Sequence, residues 1–196
     1  EMGFDASTLG NHDFDNGIEG LVKQLPNAKF SFLSANYDVS NTALNGYTLP
    51  HKIFNKNGIK IGVFGLGIKL AGLVDPKLYK DTLYLDPISI ANEQACLLKN
   101  ELNCDLVVCL SHLGYSYKSK KVSDKVLAQE TTNIDLIIGG HTHTFLKEPK
   151  LLENKNGKEV LINQVGFGAL KLGKVDFFFE KSTRKKKFES ASIFVK

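Results

Sequence analysis

The chain has 196 residues, 42% of them hydrophobic and 23% charged, with a formal net charge of +4. That length suits one large domain, and the apolar and charged fractions exclude wholesale disorder. No apolar run approaches the roughly 18–20 residues that a membrane-spanning helix requires, and no basic stretch followed by an apolar one opens the chain.

Charge is uneven. Residues 147–196 carry 12 Lys/Arg against 6 Asp/Glu, with much of the excess in Arg184-Lys185-Lys186-Lys187. No aromatic residues interleave this run, so it reads as a solvated turn between two terminal strands rather than a groove for a nucleic-acid polymer. Three cysteines without a CxxC pair exclude a disulfide framework and a structural zinc knuckle. Cys96, on a helix face, and Cys109, inside an apolar run, are expected to be buried free thiols.

In chain order, residues 6–10 form a short strand-like run. Asp15 or Asn16 is placed to cap a helix over 17–25, which Pro26 closes. Residues 30–35 read as a buried strand. Residues 50–54 and 59–66 flank Asn55-Lys56-Asn57-Gly58, and Asn-Gly between apolar runs is a hairpin signal. Asp86-Pro87 opens the next helix as an N-cap and first-turn proline; Ile90, Ala91, Ala95, Leu98 and Leu102 then recur at helical spacing. The continuous apolar run 106–110 suits a strand covered on both faces. A polar helix over 121–131, a buried strand over 134–138, and strands over 160–165, 170–179 and 188–195 complete the chain, the last three as an antiparallel meander. Alternating strands and helices followed by strands alone predict a mixed α/β sandwich flanked by helices.

Four of the five histidines share one context. His12 follows Thr8-Leu9-Gly10-Asn11. His112 follows Val107-Val108-Cys109-Leu110-Ser111. His141 and His143 follow Leu136-Ile137-Ile138-Gly139-Gly140. Each lies just past the carboxyl end of an apolar strand, where ligand crevices form in open α/β sheets. Gly10, Gly114, Gly139 and Gly140 allow tight turns and close approach to a ligand. The strands ending at Gly10, Leu110 and Ile138 are therefore expected to run parallel in one mixed sheet and deliver Asn11, His112 and His141 to one crevice. Imidazole and amide ligands without thiolate suit zinc, manganese, nickel, cobalt or iron. Tyr115 and Tyr117, just past His112, have two readings, residues near the substrate or packing tyrosines of a loop, and the second is favoured. His51 has no such context.

Gly10-Asn11-His12-Asp13, Ser111-His112-Leu113-Gly114 and Gly139-Gly140-His141-Thr142-His143 resemble, in order, the later motifs of the calcineurin-like metallophosphoesterases. Thr8-Leu9-Gly10-Asn11-His12-Asp13-Phe14-Asp15 and Ile138-Gly139-Gly140-His141-Thr142-His143-Thr144 resemble the bacterial 5′-nucleotidase branch in particular. The resemblance implies an αββα metallophosphatase fold and hydrolysis of a phosphomonoester or nucleotide by metal-activated water attacking phosphorus. It implies two divalent ions bridged by an aspartate, with Asn11, His112 and His141 as ligands of the second ion and His143 of the first. His12 would stand beside the phosphate and assist the leaving oxygen, with Asp13 orienting it. It also implies a periplasmic or cell-envelope location.

The family's first two motifs, an Asp-x-His pair and a Gly-Asp pair, have no counterpart before Gly10. Residues 1–196 are therefore expected to be a single, N-terminally incomplete phosphoesterase domain. It would lack the first one or two βα units and the C-terminal nucleotide-recognition domain, a separate copy of which would be a partner. On that expectation the intact parent holds two metal ions and this chain one or none. Two other readings stay open: a catalytically inactive phosphate- or metal-binding remnant, and a mononuclear zinc hydrolase using His112, His141 and His143.

Overall fold

The structure, a computed structural model, describes residues 3–180, 183 and 185–195; Arg184 of the basic run lies outside them. Twelve strands are arranged among the described residues as one six-stranded sheet and three two-stranded pairs.

The amino-terminal third builds a small layer of its own. β1 (Ala6–Thr8) leads into a 3-10 turn, Asn11–Phe14, and then α1 (Gly17–Gln24). α1 presents Ile18, Leu21 and Val22 at helical spacing, and with Leu25 they pack with Leu9, Phe14, Tyr37 and Leu44. Pro26 sits within a following 3-10 turn, Leu25–Asn27. β2 (Ser31–Leu33) pairs in parallel with β1. β3 (Tyr37–Asp38) pairs with the later β6, and the Tyr37 hydroxyl donates to the Ile68 carbonyl.

β4 (His51–Lys56) and β5 (Ile59–Leu66) form the expected hairpin around a two-residue turn. Asn57 and Gly58 both take positive φ, 52° and 79°, as that turn demands. α2 (Pro76–Tyr79), β6 (Leu83–Tyr84) and α3 (Pro87–Cys96) follow. The Asp86 carboxylate caps α3 by accepting the Ser89 N–H at 2.8 Å. The helix then widens into a π turn, Leu97–Glu101.

β7 (Leu106–Ser111), α4 (Asp124–Glu130), β8 (Leu136–Gly139), β9 (Lys150–Glu153) and β10 (Glu159–Asn163) complete the main sheet, in the order β4-β5-β7-β8-β10-β9. β5, β7, β8 and β10 are mutually parallel, and the outer strands are antiparallel. Strand periodicity sorts the side chains between the two faces. Phe64, Val107, Cys109, Ile137, Val160 and Ile162 meet α3, the π turn and α4 through Ala91, Ala95, Leu98, Leu127 and Ala128. Val63, Leu106, Val108, Leu136 and Leu161 face the other way. There Val175, Phe177 and Phe188 of a final hairpin, β11 (Lys171–Phe179) and β12 (Lys186–Phe194), pack on them.

The mixed α/β class matches the sequence reading, with four corrections. β1 does not join the main sheet; it pairs with β2 in a separate ribbon that crosses β5 at Gly65, where the Gly65 carbonyl accepts the Ala35 N–H at 2.8 Å. The tail is not one meander, because β10 is parallel to β8 and only β11 and β12 form a terminal ribbon. The polar helix starts late, since the Ser123 hydroxyl accepts the Val126 N–H as its N-cap. Cys96 is exposed, because it ends α3 on the outer side, whereas Cys104 and Cys109 are buried. In the basic run, Lys186 pairs with Asp135.

Two expectations follow. A methyl group on Gly65 would collide with the Leu33 carbonyl oxygen and lie 2.8 Å from Thr8 Oγ1. Gly65→Ala should therefore cost roughly 1–3 kcal/mol, read as a lower urea midpoint at unchanged slope; an unchanged midpoint would refute close stacking of the ribbon on β5. The second concerns Asp124, fully buried at the start of α4, whose Oδ1 accepts the Ser111 hydroxyl at 2.5 Å while Oδ2 has no partner. Burial pushes its carboxyl from 3.8 up to about 7, the Ser111 hydrogen bond opposing. The folded state therefore holds this proton more tightly than the unfolded chain. The stabilisation is complete below about pH 4 and is lost as pH rises through about 7, on the order of 4 kcal/mol. His112, held low, gives the opposite trend between about pH 4 and 6.5, so the comparison with Asp124→Asn isolates the carboxyl. Relative to the variant, the unmodified chain should lose stability from pH 5 to 8 in denaturant titrations; parallel profiles would contradict this.

Candidate metal centre

Three loops bring the predicted residues together. Asn11 begins the 3-10 turn after β1 and is buried. His112 directly follows β7, its N–H donating to the Leu66 carbonyl at 2.8 Å. His141 follows β8 by two residues. Because β7 and β8 are adjacent and parallel, their carboxyl ends open on one crevice. In it, Asn11 Oδ1 stands 3.2 Å from His112 Nε2 and 3.0 Å from His141 Nδ1, and the two imidazole centroids are 5.2 Å apart.

The glycines serve this packing more than they serve turns. A Cβ on Gly10 would lie 2.6 Å from His112 Nε2, and one on Gly140 would lie 3.1 Å from His112 Nδ1. These two residues form the slot that holds the ring. Gly139 leaves room for Asp124 Oδ2 and lies against Gln164 Nε2. Of the four glycines named from the sequence, only Gly114 has a positive φ, 93°. His141 and His143 themselves take left-handed backbone, φ 68° and 52°, a conformation that non-glycine residues adopt at a cost.

Electrostatically the cluster is neutral. Burial first, then the neighbouring His141, His12 and His143, lowers His112 to about 4. His141 is also lowered, by burial and then by Lys121. At neutral pH both rings are uncharged and carry a lone pair, the form that ligates metal. Among the described residues no group of three or more His, Cys, Asp or Glu side chains stands at ligating distance. Hence neither a carboxylate nor His143 completes the pair His112–His141, and the three-histidine site is not assembled. The donor set of two imidazoles and one amide oxygen fits part of the shell of a single divalent cation.

The remaining predicted residues lie at the rim. His143 is exposed and stacks on Phe167, with centroids 5.0 Å apart and 30° between planes. His12 is exposed, and its Nδ1 lies 2.9 Å from Asp15 Oδ2. Asp13 does not take that position; its Oδ2 accepts the Gly10 N–H at 2.7 Å and ties the turn together. Asp15 was legible from its spacing, since three residues along a helical turn return to the same face. Ser111, Asp124, Gln164 and Phe167 carry no local motif that marks them. Tyr117 packs back, its hydroxyl donating to the Leu113 carbonyl at 2.6 Å. His51 Nδ1 lies 2.7 Å from Gln94 Oε1, away from the cluster.

Residues 4–145 match the family model described as calcineurin-like phosphoesterase. The chain is 32% identical over 181 residues to a 5′-nucleotidase of Rattus norvegicus, covering 83% of this chain and 30% of that protein. It is 35% identical over 163 residues to a 5′-nucleotidase of Vibrio parahaemolyticus, covering 80% and 28%. Among solved structures, the 5′-nucleotidase precursor of Thermus thermophilus superposes with a TM-score of 0.84 at 26% identity, over 97% of this chain and 39% of that one. The Haemophilus influenzae NAD nucleotidase gives 0.79 at 26% identity, over 97% and 36%. The chain thus spans about a third or less of the two curated relatives named. A family model matched over most of its length, a superposition on nucleotidase folds and three histidine loops meeting in one crevice establish that the chain belongs to the calcineurin-like phosphoesterase family.

Proposed function

We propose that this domain hydrolyses phosphomonoesters of the nucleotide class with the help of divalent cations. The observation that carries the reading is the convergence of Asn11, His112 and His141 on one crevice. The rat and Vibrio relatives, both named 5′-nucleotidases, support the substrate class. A periplasmic or envelope location and a separate C-terminal nucleotide-recognition domain as partner belong to the same reading and rest on the family likeness.

Asn11, His112 and His141 would hold one cation. A divalent ion there supplies Lewis-acid charge to phosphate oxygens and lowers the pKa of a nucleophilic water. His112 and His141 contribute uncharged rings, which leave that charge undiminished for the phosphate. His12, steadied by the Asp15 carboxylate and open to solvent, would give a proton to the departing oxygen. Asp13 keeps Gly10 and the turn in place, so that Asn11 and His12 leave the same short segment in different directions. His143 would be this chain's ligand to a second cation.

A second divalent ion held beside the first would be repelled by it in the reduced dielectric of the site. Anionic ligands must offset that, and among the described residues none joins the His112–His141 pair. On this account Asn11, His112 and His141 hold the first cation, and a second would need anionic ligands beyond this set.

Loaded with manganese or zinc, the chain should bind at most one cation, its affinity read by calorimetry. His112→Ala and His141→Ala should each weaken it at least about tenfold. His12→Ala should leave cation binding intact and, in the active protein, slow phosphomonoester turnover by on the order of 10²–10⁴. Loss of the cation in His12→Ala, or full retention in His112→Ala, would refute the assignment. Two tightly held ions with turnover on the order of 1–10³ per second would refute the charge argument.

A further inference from the structure

The loop that carries His141 and His143 has an unusual support. Both histidines hold left-handed backbone, φ 68° and 52°, within four residues that contain no regular secondary structure. The Thr142 N–H turns back on the Gly140 carbonyl at 2.9 Å. Such a segment needs an outside restraint to keep one shape.

That restraint comes from the neighbouring strand, β10, which runs parallel to β8. Gln164, directly after β10, is 2% exposed. Its Nε2 donates to the Gly140 carbonyl at 2.8 Å. Its Oε1 accepts the Thr144 N–H at 2.5 Å and the Thr142 hydroxyl at 3.1 Å. One buried amide therefore grips the residue before His141, the residue between the histidines and the residue after His143. Thr142 Oγ1 also accepts the Tyr115 N–H at 2.9 Å, which links the same clamp to the loop bearing His112. The flanking backbone closes the arrangement: the Leu146 N–H donates to the Gln164 carbonyl and the Gly166 N–H to the Thr144 carbonyl, both at 3.0 Å.

We infer that Gln164 is a positioning residue of the metal centre, its side-chain amide fixing the backbone from Gly140 to Thr144 so that His141 faces the crevice and His143 stands at its rim; this rests on the cation-binding reading above. The chemistry selects an amide. The site requires one donor and one double acceptor on a single planar group, which a glutamine supplies and neither an apolar nor a hydroxyl side chain does. Side chains that orient ligands in this way commonly change metal affinity by 10–100-fold when lost.

The test uses Gln164→Met, which keeps the volume and removes all three hydrogen bonds. Amide hydrogen exchange is read without metal, and zinc affinity by calorimetry. Exchange at Thr142 and Thr144 should rise at least tenfold in the variant while amides of β7 and β10 keep their rates, and zinc should bind at least tenfold more weakly. A uniform rise across β7, β10 and the loop, or no rise at Thr142 and Thr144, would overturn the inference and leave Gln164 as a packing residue. Selective loosening of the loop with unchanged zinc affinity would overturn its link to the metal centre. Should the variant not fold, scalar coupling across the hydrogen bond from the Thr144 N–H to the Gln164 carboxamide in the unmodified chain decides, its absence overturning the inference. His141→Ala serves as the control for the underlying reading: unchanged zinc affinity in that variant refutes the cation site, while the exchange measurements still judge the clamp.

Discussion

One amide oxygen, Oδ1 of Asn11, lies within 3.2 Å of ring nitrogens on His112 and His141, residues 101 and 130 positions further along the chain. Most of the architecture is needed for that meeting. β7 and β8 must be neighbours and parallel, so that their loops leave from one end of the sheet. The β1–β2 ribbon must lie close on β5, which only a residue without a side chain at Gly65 permits. Gly10 and Gly140 must leave open the slot that the His112 ring fills. Behind the loops, Ser111, Asp124 and Gln164 supply a buried polar layer that holds the two histidine segments from within.

The electrostatics divide the site in two. The inner part is uncharged at neutral pH: burial keeps His112 at about 4 and lowers His141, leaving lone pairs for a cation. The outer part carries the titrating chemistry. His12 and Asp15 lie in solvent at the rim, the His12 ring 2.9 Å from the Asp15 carboxylate. One short turn supplies both, because Asn11 points inward and His12 outward from adjacent positions.

Much of this was legible in the sequence because apolar runs and glycine-histidine loops are local signals. The runs 106–110 and 134–138 correspond to β7 and β8, and the residues after them are the histidines of the crevice. What escaped depends on distance. β1 reads like any other short strand, and its exclusion from the main sheet follows from a crossing at Gly65 that no local pattern encodes. The tail read as a meander because β9 is short and the return of β10 to the side of β8 is a long-range pairing. The resemblance implies Asp13 as the residue that orients His12, whereas the structure sets the Asp15 carboxylate against that ring and the Asp13 carboxylate against the Gly10 N–H. Gln164 sits 20 residues from its partner Thr144 in a stretch with no motif, and its importance shows only in three dimensions.

X-ray absorption at the zinc K edge, on the chain carrying one equivalent of zinc, tests the central claim most directly. The account predicts a shell of nitrogen and oxygen donors at about 2.0–2.1 Å, with outer-shell scattering from two imidazoles that falls to one in His112→Ala. A sulfur shell at about 2.3 Å, or an imidazole count that the substitution leaves unchanged, would contradict it.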